Sequence, residues 1–312
     1  MNEKSLTQKS LQNFLGKDDE KIQYLDIKKE QNKRKKSIVD VPKPFLKWVG
    51  GKRQLILQMN DYFPKAFNKY IEPFLGGGAI FFYLLPETAI LIDVNKELVN
   101  TYNIIKNNVS ELIKSLKIHK NEKDYYYEVR SKDRNPEEYS KLSDVNKASR
   151  TIYLNRCCFN GLYRVNSNGQ FNVPFGKYTN PKFCDKENLV AIHKALKNVL
   201  LINDSFEKCL DFAEKDDFIY FDPPYVPISR SANFTSYTKG NFGKEDQTRL
   251  FNVYKNLDER GCKVMLSNSY SDFILGLYKD YQINILYAKR AINSDGSKRG
   301  KIKELLITNS FQ

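Results

Sequence analysis

One local pattern limits the fold of this chain more than any other feature: short apolar runs that end in a glycine-rich turn or a carboxylate. Tyr70-Ile71 leads into the turn Glu72–Gly78 and a helix-like stretch, and the next apolar run, Ala89–Ile92, ends at Asp93. Strand, glycine turn, helix and strand in that order form the first half of a doubly wound sheet. Further apolar runs follow at Val199–Ile202, Phe218–Phe221, Val264–Ser267, Ile283–Tyr287 and Glu304–Thr308. The sequence therefore predicts an α/β fold.

Two segments depart from this rhythm. Residues 1–37 hold ten Lys/Arg and six Asp/Glu with few large apolar side chains, so they are predicted to be a disordered basic arm. Residues 97–185 have helical spacing and then two turn signals, Asn160-Gly161 and Asn168-Gly169, which predict a mainly helical insertion that carries a β-hairpin. The predicted units are the arm (1–37), a sheet domain (38–96 and 186–312) and the insertion (97–185).

The amino-acid composition limits the class of binding partner and the cellular compartment that we expect. The 312 residues include 51 Lys+Arg and 37 Asp+Glu, and the net charge of +14 favours a polyanionic partner, most simply nucleic acid. Five cysteines without C-x-x-C spacing argue against a disulfide framework and a zinc knuckle, so we expect a reducing intracellular compartment. No apolar run approaches the ~18 residues of a membrane span, so no membrane partner is expected.

Asp222-Pro223-Pro224-Tyr225, directly after the apolar run Phe218–Phe221, is the most informative motif. An exocyclic amino group on a base is a poor nucleophile, because its lone pair is delocalised into the ring. The Asp222 carboxylate and the Pro223 carbonyl can each accept one N–H and so favour a pyramidal nitrogen, while the prolines limit reorganisation. Tyr225 offers a face on which a base can stack. The motif favours amine methylation over the alternative, a proline-rich turn.

The glycine turn Glu72–Gly78 allows the backbone to approach a ligand closely. It is not a G-x-G-x-x-G motif, because the third glycine position falls at Phe81. A phosphate-free nucleoside such as S-adenosylmethionine therefore fits better than a pyrophosphate. Asp93 can accept ribose hydroxyls, or it can cap a helix before Asn95.

Two other segments are ambiguous when taken alone. Gly50-Gly51-Lys52 beside Trp48 is either a ligand-contacting loop or a basic turn with a core tryptophan, since Walker spacing is absent. The Arg, Asn and aromatic residues of segment 155–164 suit base edges and wedging into a base stack, but a solvated hairpin has the same composition.

Together these segments resemble Dam-type DNA adenine-N6 methyltransferases, which modify the adenine of GATC. The resemblance covers the chain from Phe45 to the C-terminus and rests on FLKWVGGKR, YIEPFLGGGAIFF, ILIDVN, LNRCCFNGLYRVNSNGQFNVPFGKY, DPPY, SANFTSYT and RAINSDGSKRGKIKELL. The order of glycine loop, recognition insert and DPPY matches the alpha arrangement of that family. It implies a Rossmann-like S-adenosylmethionine-dependent methyltransferase sheet with an inserted, mainly helical recognition domain that bears a β-hairpin.

The resemblance also implies the site residues. Those for S-adenosylmethionine, whose product is S-adenosylhomocysteine, are Trp48, Gly50, Lys52, Glu72, Phe74, Gly76, Gly78, Asp93, Ser205, Phe206 and Asp222. The catalytic residues are Asp222, Pro223, Pro224 and Tyr225. Those for double-stranded DNA are Lys47, Arg156, Phe159, Asn160, Leu162, Arg164, Pro174, Tyr178, Asn233 and Thr235. Arg164 is expected to read one guanine and Lys47 the other, while Phe159 fills the gap left by a flipped adenine. No metal is expected, because the sulfonium carries its own activation.

A further partner and a location are separate expectations. Gln8–Leu15 resembles the Q-x-x-L-x-x-aromatic box that docks proteins on a ring-shaped sliding clamp. The expected location is the cytoplasm or nucleoid, or the nucleus in a eukaryotic host. Three rival functions stay open: a DPPY amino methyltransferase acting at another adenine site or on cytosine N4, a catalytically silent DNA-binding relative, and a nicotinamide dehydrogenase. The last is disfavoured because the dinucleotide glycine spacing is absent.

Overall fold

A computed structural model describes residues 41–225, 242–289 and 301–311 of the chain. The predicted arm, with its clamp-like segment Gln8–Leu15, and the predicted DNA contacts Asn233 and Thr235 lie outside these ranges.

The described residues form seven strands and ten α-helices. The strands are Tyr70–Glu72 (β1), Ala89–Ile92 (β2), Val199–Ile202 (β3), Phe218–Phe221 (β4), Lys263–Ser269 (β5), Gln282–Lys289 (β6) and Lys301–Thr308 (β7). The helices are Ile56–Met59 (α1), Ala79–Leu84 (α2), Lys96–Asn107 (α3), Val109–Leu116 (α4), Lys123–Ser131 (α5), Pro136–Lys141 (α6), Asp144–Cys157 (α7), Lys186–Ala195 (α8), Lys244–Glu259 (α9) and Asp272–Leu277 (α10). None of these ten is long and apolar enough to cross a membrane.

The strands join in one sheet in the order β3-β2-β1-β4-β5-β7-β6. Strands β1 to β5 run parallel to one another, and β7 runs antiparallel between β5 and β6. The predicted α/β sheet is confirmed. The strand order reverses between β1 and β4, which is where open α/β sheets form a ligand crevice at the carboxyl ends of the strands.

Alternate side chains of the central strands face two separate apolar layers, as the two-residue period of a strand requires. Tyr70 and Phe218 lie in a first cluster, which also includes residues of α3, α4, α7 and α8. Ile71 and Ile219 lie in a second cluster, which also includes residues of α9 and α10. Helices therefore cover both faces, and this explains why the strands are continuous apolar runs instead of alternating with polar residues.

Helices α3 to α7 and the hairpin lie between β2 and β3 in the chain. A third apolar cluster, separate from the layers on the sheet, joins Tyr126, Tyr153, Phe171 and Val173. The hairpin consists of isolated backbone pairs, including the antiparallel bridge Val165–Phe171, and not of regular strands. Helix α3 packs in the first cluster with the sheet, so the division of the chain at residue 97 stays a prediction.

Candidate active site

A cavity of about 470 Å³ opens at the carboxyl ends of β1, β2 and β4, where the strand order reverses. All of the residues predicted for the cofactor and for catalysis line it. They come from distant parts of the sequence, and they meet because parallel strands end at the same edge of the sheet.

Lys52 and Asp222 form the charged centre of this cavity. Lys52 is 3% exposed, and its Nζ donates to Asp222 Oδ1 at 2.6 Å and to the Gly50 carbonyl at 2.9 Å. A second carboxylate, that of Glu304 on β7, lies 3.8 Å from the same Nζ. Burial raises the pKa of Asp222 to about 6, with Glu304 adding to the rise and Lys52 opposing it. Because of this balance, Asp222 ionises near neutrality.

The two carbonyls of the Asp222–Tyr225 loop differ in their partners. The Pro224 carbonyl accepts from Gln247 Nε2 at 3.3 Å, and Gln247 Oε1 in turn accepts from Asn268 Nδ2 at 2.9 Å. Both amide side chains are fully buried. The Pro223 carbonyl accepts no hydrogen bond from any residue that the structure describes. Gln247 thus fixes the loop through the Pro224 carbonyl. It leaves the Asp222 and Pro223 oxygens, which the sequence predicts as acceptors for an amine, without a contact to Gln247.

Tyr225 is held by a carboxylate that the sequence analysis did not assign. Its hydroxyl donates to Glu304 Oε2 at 2.6 Å, and Lys52 Nζ lies 5.0 Å from the centre of its ring. Burial and the nearby carboxylates of Asp222 and Glu304 raise the pKa of Tyr225 well above its usual value. The phenol therefore remains a hydrogen-bond donor at physiological pH.

The glycine turn is shaped by packing against Trp48. A Cβ added to Gly76, whose φ is +47°, would lie 2.9 Å from Trp48 Cδ1. The tryptophan ring also stacks on Tyr163, with ring centres 5.1 Å apart. Gly78 has a φ of +65°, and its added Cβ would lie 2.7 Å from the hydroxyl of Tyr102. The glycines thus let this turn pack closely on two aromatic side chains.

The variant Gly76→Ala is expected to lower the free energy of unfolding by about 1–3 kcal/mol, because the new methyl group must displace Trp48 as well as adopt a positive φ. Gly50→Ala is a matched control: its φ is +80°, but an added Cβ has no atom within 4 Å. Chemical denaturation measures the loss of stability. Trp48, the only tryptophan, should change its fluorescence in Gly76→Ala alone. Equal spectra in the two variants would contradict the packing explanation.

Asp93 follows β2, and its oxygens face the backbone of neighbouring turns. Oδ2 accepts from the Gly76 N–H at 3.0 Å and Oδ1 from the Asn95 N–H at 2.9 Å. Burial raises the pKa of Asp93, and these two hydrogen bonds oppose the rise. The helix cap is Asn95, which accepts from the Leu98 N–H at 3.1 Å. The residue that caps helix α3 is therefore Asn95 and not Asp93. Asp93 instead links the end of β2 to the glycine turn beside the cavity.

Glu72 is a buried carboxyl residue in the lining of the cavity. The residue is 3% exposed, and Oε2 has no hydrogen-bond partner among the described residues. Burial raises the pKa of Glu72 well above its usual value; the neighbouring Tyr70 hydroxyl opposes the rise, and the carboxylates of Asp222 and Asp93 add to it. A buried polar atom without a partner is costly, so this oxygen marks a position where a ligand's polar or cationic group would be stabilised.

The opposite end of the cavity is aromatic. Phe74 and Phe206 stack with ring centres 5.3 Å apart, and Phe242 meets them edge-on at 5.6 and 5.9 Å. The guanidinium of Arg249 lies 5.4 Å from the centre of the Phe206 ring. Phe242 and Arg249 were not predicted from the sequence, because they belong to no recognisable local motif. This end of the cavity suits a flat heteroaromatic ring.

The predicted DNA residues of the hairpin lie beside residues 44–47, which we call the entry segment. Lys47 Nζ lies 4.2 Å from the centre of the Tyr178 ring. The buried amide of Asn155 binds both the N–H and the carbonyl of Lys47, each at 2.8 Å, and the Gly161 carbonyl at 3.1 Å. A Cβ at Gly161 would lie 2.2 Å from Lys47 Cδ. Asn155, which the sequence analysis did not assign, therefore ties Lys47 to the hairpin.

Phe159 and Arg164 precede the turn of the hairpin, which is closed by a hydrogen bond from the Gly169 N–H to the Asn166 carbonyl. Phe159 is 52% exposed, and its N–H donates to the carbonyl of the exposed Pro174 at 2.8 Å. Arg164 Nε donates to Asn172 Oδ1 at 2.7 Å, and Nη1 makes no hydrogen bond to any residue in the described ranges. The exposed Asn160 and the half-buried Leu162 lie between them in the chain.

Arg156 binds backbone carbonyls of its own chain. Its Nε donates to the Phe45 carbonyl at 2.7 Å and its Nη2 to the Pro44 carbonyl at 3.4 Å. Burial lowers its pKa. The guanidinium therefore ties helix α7 to the entry segment, and we do not retain Arg156 among the proposed DNA contacts.

The fold of the chain and its comparison with known proteins identify its family. A doubly wound sheet with a nucleoside-sized cavity at its switch point is typical of α/β proteins that bind nucleotide-like ligands. Residues 48–292 match the family described as D12 class N6 adenine-specific DNA methyltransferase. The chain belongs to this family and is an adenine-specific DNA methyltransferase.

Individual relatives cover most of the chain. It is 47% identical over 271 residues to the Type II methyltransferase M1.LlaDCHI of Lactococcus lactis subsp. cremoris, covering 86% of this chain and 95% of the relative. It is 45% identical over 290 residues to the Type II methyltransferase M.MjaIII of Methanocaldococcus jannaschii, covering 86% and 99%. It is 38% identical over 270 residues to the DNA adenine methylase of Haemophilus influenzae, covering 85% and 92%.

Proposed function

We propose that this enzyme methylates N6 of adenine within GATC in double-stranded DNA, by flipping the adenine out of the duplex. The main observation is that the Asp222 carboxylate and the Pro223 carbonyl, which accepts no hydrogen bond from the described residues, lie together in the lining of a nucleoside-sized cavity. The choice of GATC rests on the likeness of segment 155–178 to the Dam-type recognition hairpin. The order of glycine turn, insertion and DPPY in the chain supports the alpha arrangement.

The residues of the cavity fit S-adenosylmethionine. The buried Glu72 carboxyl group in the cavity lining suits a polar or cationic group, the Phe74–Phe206 pair suits an adenine ring, and Asp93 suits ribose hydroxyls. The predicted contacts from Trp48, Gly50, Lys52, Gly76, Gly78 and Ser205 surround these three. Bound there, the cofactor would supply a methyl group already activated by its sulfonium, so the protein need only orient the acceptor.

The chain's own residues would prepare the adenine amine. Asp222 and the Pro223 carbonyl each accept one N–H of N6, which favours a pyramidal nitrogen with an available lone pair. The Tyr225 ring offers the stacking face for the flipped base. The buried Gln247 and Asn268 keep the loop rigid from behind, which limits reorganisation as charge develops.

The hairpin would read the site. The Arg164 guanidinium, oriented by Asn172, would donate to a guanine edge in the major groove, and Lys47 would contact the other guanine. The exposed Phe159 ring would fill the space left by the flipped adenine. Leu162, Pro174, Tyr178 and Asn160 would complete the base contacts. We assign recognition to the insertion 97–185, whose separate apolar cluster would support the hairpin.

Base-resolution mapping of methylated bases after expression in a host without DNA methylation tests the proposal. N6-methyladenine confined to GATC is the expected result. N6-methyladenine at another site would overturn the specificity, and N4-methylcytosine would favour the rival amino methyltransferase. The absence of both would favour the catalytically silent relative.

The activity should depend on the ionisation of Asp222. Its pKa is raised to about 6, and a protonated carboxyl loses acceptor capacity towards the amine. Since kcat/KM reports the free enzyme, kcat/KM should be full well above pH 6 and fall about tenfold for each pH unit below it. Initial rates measured across this pH range test this fall, which we call the acidic limb. Melting of the DNA duplex is followed as a control over the same range. A flat profile down to pH 5 would contradict the role of Asp222.

A further inference from the structure

We propose that Glu304 is a positioning residue of the transfer site: it orients the Tyr225 ring and acts as the second counter-ion of Lys52, so that Asp222 can turn to the substrate amine. The inference rests on the proposed roles of Asp222 and Tyr225. Glu304 lies on β7, an antiparallel strand that joins the sheet far from the glycine turn in sequence. Its side chain is 15% exposed.

The first part of the inference concerns Lys52, the buried cation of the site. Its Nζ donates to Asp222 Oδ1 at 2.6 Å and to the Gly50 carbonyl at 2.9 Å, and Glu304 Oε2 is 3.8 Å away. An ammonium has three donors, so a small movement of Nζ would convert the longer contact into a hydrogen bond. A buried ammonium that lost its carboxylate would be strongly destabilised. Glu304 prevents that loss when Asp222 engages the amine.

The second part concerns Tyr225. The ring proposed to stack with the flipped base is anchored at its hydroxyl, which donates to Glu304 at 2.6 Å. Without this acceptor, the ring could rotate away from the stacking position, and the hydroxyl would lose its partner. Glu304 thus links the stacking face to the cation that pairs with Asp222.

The charge of Glu304 also acts on Asp222 directly. The titratable groups that face or influence Asp222 come from several elements and are Lys52, Glu304, Tyr225, Tyr220, Glu72 and Tyr70. Lys52 favours the ionised carboxylate, and Glu304 disfavours it. Removing the charge of Glu304 should therefore lower the pKa of Asp222 and move the acidic limb of activity to lower pH.

Two variants separate the two roles of Glu304. Glu304→Gln keeps an oxygen that can accept from Tyr225 but loses the charge, whereas Glu304→Ala loses both. Glu187→Gln is the control, because it removes one exposed carboxylate from the first turn of α8. The measurements are the pH profile of kcat/KM, kcat at its pH optimum, and the fluorescence of 2-aminopurine at the target adenine of a duplex.

Glu304→Gln should shift the acidic limb down by about one pH unit and lower kcat about tenfold, with wild-type fluorescence. Glu304→Ala should show the same shift together with at least about a twofold change in fluorescence. Thermal unfolding shows whether each variant is folded. If Glu304→Ala is unfolded, Glu304→Gln alone still tests the electrostatic role.

A wild-type limb and kcat in Glu304→Gln would overturn the counter-ion role. Wild-type fluorescence in a folded Glu304→Ala, or altered fluorescence in Glu304→Gln, would overturn the role in orienting Tyr225. An active Asp222→Ala, or a wild-type enzyme without an acidic limb, would instead overturn the proposed mechanism itself.

Discussion

Asp222→Ala is expected to lower kcat by about 10²–10³-fold, which is the scale found when a preorganised polar contact to a reacting group is removed. Without this carboxylate, N6 keeps at most the Pro223 carbonyl as an acceptor, and its lone pair stays delocalised into the ring. Lys52 remains paired, because Glu304 Oε2 lies 3.8 Å away. The loss should therefore fall mainly on the transfer step.

Transfer of a radiolabelled methyl group to duplex DNA measures this effect. Asp211→Ala is a matched control, since Asp211 is 56% exposed and pairs with Lys208 at 2.7 Å, and it should stay within about twofold of wild type, as surface changes usually do. Thermal unfolding of both variants shows whether a loss of activity reflects a loss of structure. Substantial methyl transfer by folded Asp222→Ala would contradict the proposed mechanism.

Arg164→Ala should lower kcat/KM on GATC by roughly 10–100-fold, because a bidentate arginine–guanine contact contributes about 1–3 kcal/mol of discrimination. The loss should be much smaller on duplexes in which the guanine read by Arg164 is already replaced. The ratio between the GATC duplex and the altered duplex should therefore fall towards one. This collapse is the signature of a base contact, as opposed to a phosphate contact.

Rates on the two duplexes at one salt concentration measure this ratio for wild type and variants. Arg53→Ala serves as the control, because it removes an exposed arginine from the 3₁₀ turn Lys52–Gln54. Any loss in that variant should be equal on both duplexes, as expected for an electrostatic contribution. If Arg164→Ala also weakened both duplexes equally, its assignment to guanine would be wrong.

Much of the site could be read from the sequence because its residues follow short buried strands. Glu72, Asp93 and Asp222 each come at or directly after the end of a parallel strand, and such ends must meet at one edge of the sheet. The Asp222–Tyr225 motif also predicts a chemistry, since an acid followed by two prolines and a tyrosine combines hydrogen-bond acceptors, rigidity and a stacking face. The local sequence pattern and the sheet topology therefore both predict that these residues meet at one edge of the sheet.

Other residues could not be assigned from local pattern. Arg156 looked like a DNA contact, but its guanidinium binds backbone carbonyls 111 and 112 residues earlier in the chain. Phe242 lines the cavity from the residues just before α9. Gln247 on α9 and Glu304 on β7 instead contact Pro224 and Tyr225 of the Asp222–Tyr225 loop, and the sequence resemblance assigns no role to any of the three. Asn95, and not Asp93, caps α3: the Leu98 N–H donates to Asn95 Oδ1, while the two Asp93 oxygens accept from the Gly76 and Asn95 N–H groups.

By itself, the sequence determined the order of strands, turns and helices, the Asp222–Tyr225 motif and the segments that resemble the family. Each of these depends on residues close together in the chain. Only the tertiary structure decided which carboxylate shares Lys52, which amides hold the Asp222–Tyr225 loop and which arginine stays available on the hairpin. These are contacts between elements far apart in sequence, and their distances, burial and charge balance arise only when the sheet and helices pack together.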